Sequence, residues 1–397
     1  MLNIEERGNA LPKFGLFNLG FRPFFFAAGL AGMLLMLLWM GLYQYQWAPL
    51  PATIPPIQWH AHEMIFGYAM AAIAGFLLTA SKNWTGVQTL HGAPLAGLFG
   101  IWLAARLLFF FDLPIITAIV DNLFLLGVVV GVAHPIVKAK QKEHTGLIAK
   151  LALILIANVI FHLGMAGIIE SGYFIGLYLA LYLILAVIFE MGRRVIGFFI
   201  ERGVDAPASL KNWRWVDLSS LVLLLLFTLF DLFLGFPTIT ALLALGLTIV
   251  HGVRLYGWYT HGIWSKPLLW SLYVAYIFIV IGFALKAASI WLGLSPFLAV
   301  HAFTVGGIGM ITLGMMSRVA LGHTGRSVFE PPKSISLFLW LILAAAIVRV
   351  ILPLLLSIEY YTTLMLISQG LWIAAFTLFT LIYAPMLFTR RLDGGPG

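Results

Sequence analysis

Two short stretches of this 397-residue chain carry side chains able to do chemistry: Trp59-His60-Ala61-His62-Glu63-Met64 and His301-Ala302-Phe303-Thr304. Each opens a long apolar segment. Behind His62 come Gly67, Gly75 and Thr85-Gly86, at offsets of 5, 13, 23 and 24 residues, and behind His301 come Gly306, Gly314 and Thr324-Gly325 at the same offsets. Neutral imidazole is a common metal ligand, and one histidine from each of two adjacent helices can fill both axial positions of a haem b. The intervening glycines would leave room for the flat macrocycle. On a regular helix His60 points away from His62, because two residues turn the chain by about 200°. If His60 precedes the helix, a bend can aim both imidazoles at one copper or at two neighbouring metals. Met64 adds a soft thioether, which favours copper(I). Met310 is open to the same use, whereas Met315 and Met316 read as core packing. His60, His62, His301 and Met64 are thus the expected metal ligands, with His62 and His301 as the haem pair.

Other polar side chains in apolar segments extend the set. An ionisable group in a membrane span is costly and marks a functional site unless it is paired; the plainer alternative is a neutral histidine hydrogen-bonded between helices. His162 lies at the depth of His62. His134, just before Pro135, and His251, one turn from Arg254, lie toward the opposite face and can form a second, inner haem site. His91, His144, His261 and His323 read as solvated loop residues. Arg106 and Arg349 are intramembrane and toward the outer side, so they need partners; Glu63, Asp112 and Asp121 are nearest in depth, and Arg106 can also reach the propionate of an outer haem. Arg22 opens a span in Gly20-Phe21-Arg22-Pro23-Phe24-Phe25, where Pro23 suits a first helical turn. It reads as a cytoplasmic anchor, with a carboxylate or a propionate as its alternative partners. Glu190 is expected to pair with Arg193 or Arg194 at helical spacing, or else to handle protons. No hydrolase triad, phosphate-binding loop or dinucleotide fingerprint is present. His62-Glu63 is not a zincin motif, since Phe66 stands where the second histidine is required.

The elements that must position these residues follow from composition. The chain is 62% hydrophobic and 10% charged, against roughly 25% charged in globular proteins, so its surface belongs in a lipid bilayer. Long continuous apolar runs exclude a β-barrel, which needs alternating segments. The fold class is all-α, a polytopic integral membrane protein forming one transmembrane domain over 1–397. Spans are predicted near 21–42, 62–80, 93–112, 115–136, 147–169, 173–199, 216–235, 237–257, 267–291, 296–317, 334–356 and 362–388. With these twelve spans, the basic loops (Arg7 and Lys13, Lys82, Lys138 to Lys150, Arg193 to Arg214, Lys266, Arg318 to Lys333, Arg390 and Arg391) all fall on one side. By the positive-inside rule that side is cytoplasmic and holds both termini. The same rule accounts for the net charge of +8 without nucleic acid. A proline-rich exterior loop over 43–61 is expected to cap the outer face, and the start of the chain, with Glu5 and Glu6, does not read as a cleaved signal peptide. The absence of cysteine excludes disulfides, c-type haem, thiolate-ligated haem and cysteine-held iron–sulfur clusters.

In these same segments the sequence resembles the NnrS family: Gly20 to Phe25, Trp59-His60-Ala61-His62-Glu63-Met64-Ile65-Phe66-Gly67, and His301 to Thr304 continuing to Met316-Ser317-Arg318. The resemblance implies a haem- and copper-containing protein of the bacterial inner membrane that helps cells tolerate nitric oxide and nitrosative stress. It assigns no reaction and no ligands. An NO-reactive or quinone-linked oxidoreductase, drawing on quinone or another electron donor, is one expectation. A twelve-span secondary transporter without a metal is the alternative, although the echo between spans two and ten does not halve the chain and the histidines sit off the midplane. An inert scaffold would tolerate loss of the outer histidines.

Overall fold

The computed structural model describes residues 14–51 and 53–392; Glu5, Glu6, Arg7 and Lys13 lie outside them. Its helices are α1 Phe21–Tyr45, α2 Pro56–Thr85, α3 Gly92–Leu108, α4 Pro114–Lys138, α5 Lys142–Met165, α6 Gly172–Gly203, α7 Arg214–Leu234, α8 Pro237–Trp258, α9 Pro267–Trp291, α10 Pro296–His323, α11 Ser334–Leu355 and α12 Ile358–Phe388. All but α3 are long and apolar enough to cross a bilayer, and α3, with 17 residues, sits at the lower end of the spanning range. The chain is a polytopic all-α membrane protein. Among the described residues the one β feature is a bridge between Phe14 and Thr389, which brings the two ends of the helical body to the same face, as an even number of crossings requires.

Several boundaries differ from expectation by four to six residues, among them the end of the third span and the extent of the exterior segment. The third span stops at Leu108 instead of 112, because Leu113 precedes Pro114 and leaves the helical region (φ −128°, ψ 58°). The exterior segment is shorter than 43–61. Helix α1 runs on to Tyr45 and closes at Gln46 in the left-handed region (φ 53°), while α2 already begins at Pro56, its proline at the first helical position. His60 and His62 therefore lie inside a regular helical turn.

The echo in the sequence is an echo in structure. Helix α2 is α-helical to His62, π-helical over Glu63–Ala69, and α-helical again from Met70; α10 is α-helical to His301, π-helical over Ala302–Gly309, and α-helical from Met310. Both reach a left-handed glycine at the far end, Gly86 (φ 68°) and Gly325 (φ 77°). In α1–α4 the first helix packs on the second, the second on the fourth and the third on the fourth, and α9–α12 repeat that pattern. Helices α5–α8 lie between the two units in sequence.

The glycines shared by the two helices serve helix contact. A Cβ on Gly67 would stand 2.8 Å from Arg106 Nη1, one on Gly75 would strike Phe25, one on Gly306 would strike Phe278, and one on Gly314 would crowd Ser271 and Leu272. The room the sequence offered to a macrocycle is filled by an arginine and by neighbouring helices, as small residues in membrane interfaces allow. The bundle is closed by α1 against α12, where Gly29 and Gly32 receive Phe379 and Phe376 and Trp372 Nε1 donates to the Gly32 carbonyl at 2.8 Å. At the inner end of this seam Arg22 is fully buried. Among the described residues it meets no carboxylate: its guanidinium donates to the carbonyls of Leu387 (3.0 Å), Met386 and Thr389. These are the unpaired acceptors at the negative end of α12.

Candidate functional site

The side chains carried by α2 just before and within its π segment diverge, as the 100° turn per residue requires. His62 points toward α3, α4 and α5, His60 toward α1. Two separate constellations result.

Around His62 a charge cluster is buried. Arg106 on α3 donates to Glu63 Oε1 at 2.6 Å and, through Nη2, to Asp121 Oδ1 on α4. These are two of the partners expected for it by depth; the third, Asp112, is exposed and accepts from Thr53 Oγ1. Asp121 Oδ2 also accepts from Asn158 Nδ2 at 2.8 Å and His162 Nε2 at 3.1 Å, both from α5. His62 sits in the middle, ringed by Phe66, Phe109 and Phe161. Its Nδ1 is 3.0 Å from Glu63 Oε1, and its Nε2 is 2.9 Å from Asn158 Oδ1 and 3.1 Å from Asp121 Oδ2. The amide of Asn158 is oriented by Asp121: its NH₂ faces the carboxylate, so its oxygen faces His62. Both imidazole nitrogens of His62 thus face oxygen atoms, those of Glu63, Asn158 and Asp121. Two carboxylates, Glu63 and Asp121, stand against Arg106 and His62. A buried set of this kind is stable only when each charge is compensated.

This arrangement bears on metal binding. The ligand atoms of His62, Asp121 and His162 lie within 4.8 Å of one another, a spacing a cation can use. In the geometry present, however, Arg106 holds the other oxygen of Asp121, and both ring nitrogens of His62 are already engaged with oxygen atoms.

The second constellation lies between α1, α2, α10 and α11. His60 stacks on Trp39 (centroids 4.3 Å apart, planes 9° apart), and its Nδ1 is buried without a hydrogen-bond partner. His301 Nδ1 is 2.7 Å from the Phe297 carbonyl one turn earlier. A carbonyl only accepts, so Nδ1 carries the proton and Nε2 keeps the lone pair, and Nε2 has no hydrogen-bond partner among the described residues. A backbone carbonyl holding the distal N–H is the usual support of a metal-bound histidine. Arg349 is the cation within electrostatic reach of both His301 and His60. Arg349, in a π segment of α11 (Ile347–Ile351), donates to Tyr361 OH at 3.1 Å. Arg349 thus bonds a residue of α12 as Arg106 bonds one of α4. His60, not His62, is the α2 histidine within electrostatic reach of His301; His62 is turned to the other cluster.

The remaining expected residues are placed as follows. Met64 is half-buried, one turn beyond His60. Met310 is fully buried. His162 belongs to the charge cluster. His134 is exposed on α4, and His251 is buried between α7, α8 and α9, with Nδ1 2.6 Å from Tyr276 OH and Nε2 3.1 Å from Ser220 Oγ; the two do not share a site. His144, read as a solvated loop residue, is buried, stacks on Trp84 and accepts from Arg194 Nη1 at 2.9 Å. Glu190 pairs with Lys150 (2.8 Å) and, at helical spacing, Arg194 (3.6 Å). Two groups escaped the sequence. Asn158 is uncharged and drew no attention, although it stands one turn before His162 on the same face. Asp231, at the outer end of α7, pairs with Lys286 on α9 (2.7 Å) and accepts from Tyr182 on α6 (2.6 Å); the intramembrane Lys286 was the signal that could have found it.

Twelve apolar helices, a compensated ionic cluster and a histidine pair at one end of the bundle define a multi-pass membrane protein with a candidate metal site. The profile of the NnrS protein family matches residues 15–391. The chain belongs to the NnrS family, and with that it is a membrane protein of the nitric-oxide response. A search among curated proteins finds no significant match.

Proposed function

We propose that this chain is a metal-containing protein of the bacterial inner membrane that binds or reacts with nitric oxide at a centre held by outer-side histidines, His60 and His301 in particular. The observation that supports this is the pair of unengaged nitrogens: a buried, partnerless Nδ1 on His60 and a lone pair on His301 Nε2, fixed by the Phe297 carbonyl. Imidazole with a thioether one turn away, Met64, suits copper in its lower oxidation state. Haem b is the other cofactor the family resemblance implies. His301 is the imidazole that would hold a haem, whereas His62 would first have to leave Glu63, Asn158 and Asp121. Bound there, either metal would offer nitric oxide a coordination position. The protein supplies orientation through Phe297 and Trp39, and a guanidinium, Arg349, that favours an anionic ligand or a propionate. An electron donor, quinone included, is required only if the reaction is a reduction. Transport is the weaker reading, because both outer constellations lie off the midplane of the bundle, where a carried substrate would bind.

The test is iron and copper per chain, with oxidised and dithionite-reduced absorption spectra, for the wild type, His60→Ala, His301→Ala, His62→Gln and His162→Ala. Metal is expected to be lost in the first two variants and retained in His62→Gln and His162→Ala. Loss confined to the His62 and His162 variants would move the centre to the charge cluster. A metal-free wild type from haem- and copper-replete cells would end the metalloprotein reading.

A further inference from the structure

Away from both polar constellations, a cavity of about 80 Å³ lies at the middle of the bundle. Helix α2 lines it with Ala72, Ile73, Phe76 and Leu77, and α10 with Ile311, Thr312, Met315 and Met316. Counted from His62 and from His301, both sets stand at offsets of 10, 11, 14 and 15 residues. The cavity is therefore built by the repeat: the same face of two like helices meets across it. Phe25 of α1 closes one side, and α6, with Ile188 and Met191, the other.

Its surface is apolar. The one hydroxyl in the lining, Thr312 Oγ1, is engaged with the Ile308 carbonyl at 2.7 Å, with the Gly309 carbonyl and with Tyr68 OH. A void of this size is several times the roughly 10–15 Å³ one water needs, but water also requires polar partners, which this lining does not offer; a dry cavity of roughly 150 Å³ with similar walls takes up xenon. The lining residues lie midway along α2 and α10, at hydrocarbon depth, so what surrounds the bundle there is lipid. A charged or hydrogen-bonding ligand would lose its hydration without compensation.

We propose that this cavity is a binding site for one small, neutral, lipid-soluble molecule of two or three atoms, entering from the bilayer. The assignment of that molecule as nitric oxide rests on the function proposed above; the cavity's preference for a small apolar guest does not. The repeat then gives the protein a reservoir between its two units, fed by the phase in which such a molecule concentrates.

Xenon is the probe, measured on full-length purified protein by ¹²⁹Xe NMR and by diffraction from xenon-pressurised crystals. One saturable site is expected between α2 and α10, weakened about tenfold or more in Ala72→Phe, whose ring takes the space, and strengthened in Ile311→Ala, which enlarges it. If Ala72→Phe does not fold, Ile311→Ala carries the test alone. No xenon in the wild type, xenon indifferent to both substitutions, or an acyl chain of a co-purified lipid filling the cavity would each overturn the proposal. Xenon binding in a metal-free protein would support it while ending the metal reading, and a metal-replete protein without xenon binding would do the reverse.

Discussion

His62 and His301 occupy equivalent positions, each the last α-helical residue before a π segment in α2 and α10, yet one is held on both nitrogens by acceptors and the other has a nitrogen free. The backbone does not explain this, since π segments recur at functional sites without dictating their chemistry. The next residue does: Glu63 follows His62, whereas Ala302 follows His301. The neighbours complete it, because Asp121, Asn158 and His162 surround the first and Tyr361 with Arg349 flanks the second. One scaffold thus yields a compensated ionic lock and an open ligand pair, and its chemistry is set by two or three side chains laid on a shared frame.

The comparison can be broken most decisively at the metal. His60→Ala and His301→Ala are expected to lower metal affinity by more than the 10–100-fold that loss of an outer partner of a ligand costs, read by metal analysis after dialysis. The lock is tested next: Asp121→Asn leaves Glu63 as the one carboxylate against Arg106 and His62 and should destabilise the protein by about 3–5 kcal/mol, read by thermal unfolding in detergent. Replacing Arg106 and Asp121 together by Met and Leu should cost less than either change alone. Smaller effects sharpen the comparison of the helices. Gly67→Ala and Gly306→Ala should each cost about 1–3 kcal/mol, the first by displacing Arg106 from Glu63, the second by pushing on Phe278. Removing the cation beside the open pair, in Arg349→Gln, is expected to tighten copper binding by about tenfold or less, about 1 kcal/mol, in competition titrations. The least effect belongs to Tyr68→Phe, which deletes the hydroxyl that bonds Thr312 across the two helices: about 0.5–1.5 kcal/mol of stability and no change in metal content.

Most of the fold is legible in the sequence because membrane burial writes itself in composition. Twenty-residue apolar runs and one-sided basic loops place the helices, and the glycine and histidine offsets disclose the repeat. Ends of helices are less legible: Leu108 and Pro56 depend on prolines whose effect is local and not a matter of hydropathy. The site is half legible. Depth narrows the partners of Arg106 to Glu63, Asp112 and Asp121, of which the structure uses the first and the last. That His60 rather than His62 comes within electrostatic reach of His301 follows only once the helix is known to be regular at this point, for one residue's delay in its start would have re-aimed both rings. Asn158 could not be seen at all, because an amide becomes informative only when a carboxylate fixes which way round it lies.

The burial of Arg22 under the last turn of α12 also says something about how the protein is made. Arg22 is separated from its acceptor Leu387 by 365 residues. At ribosomal speeds of about 5–20 residues per second, the first helix enters the bilayer roughly 20–70 s before the carbonyls that satisfy its guanidinium exist. During that interval Arg22 must stay at the lipid headgroups or in the keeping of the insertion machinery. Docking of the final helix then completes the hydrogen bonding of Arg22, and a chain lacking α12 leaves its guanidinium without these carbonyls.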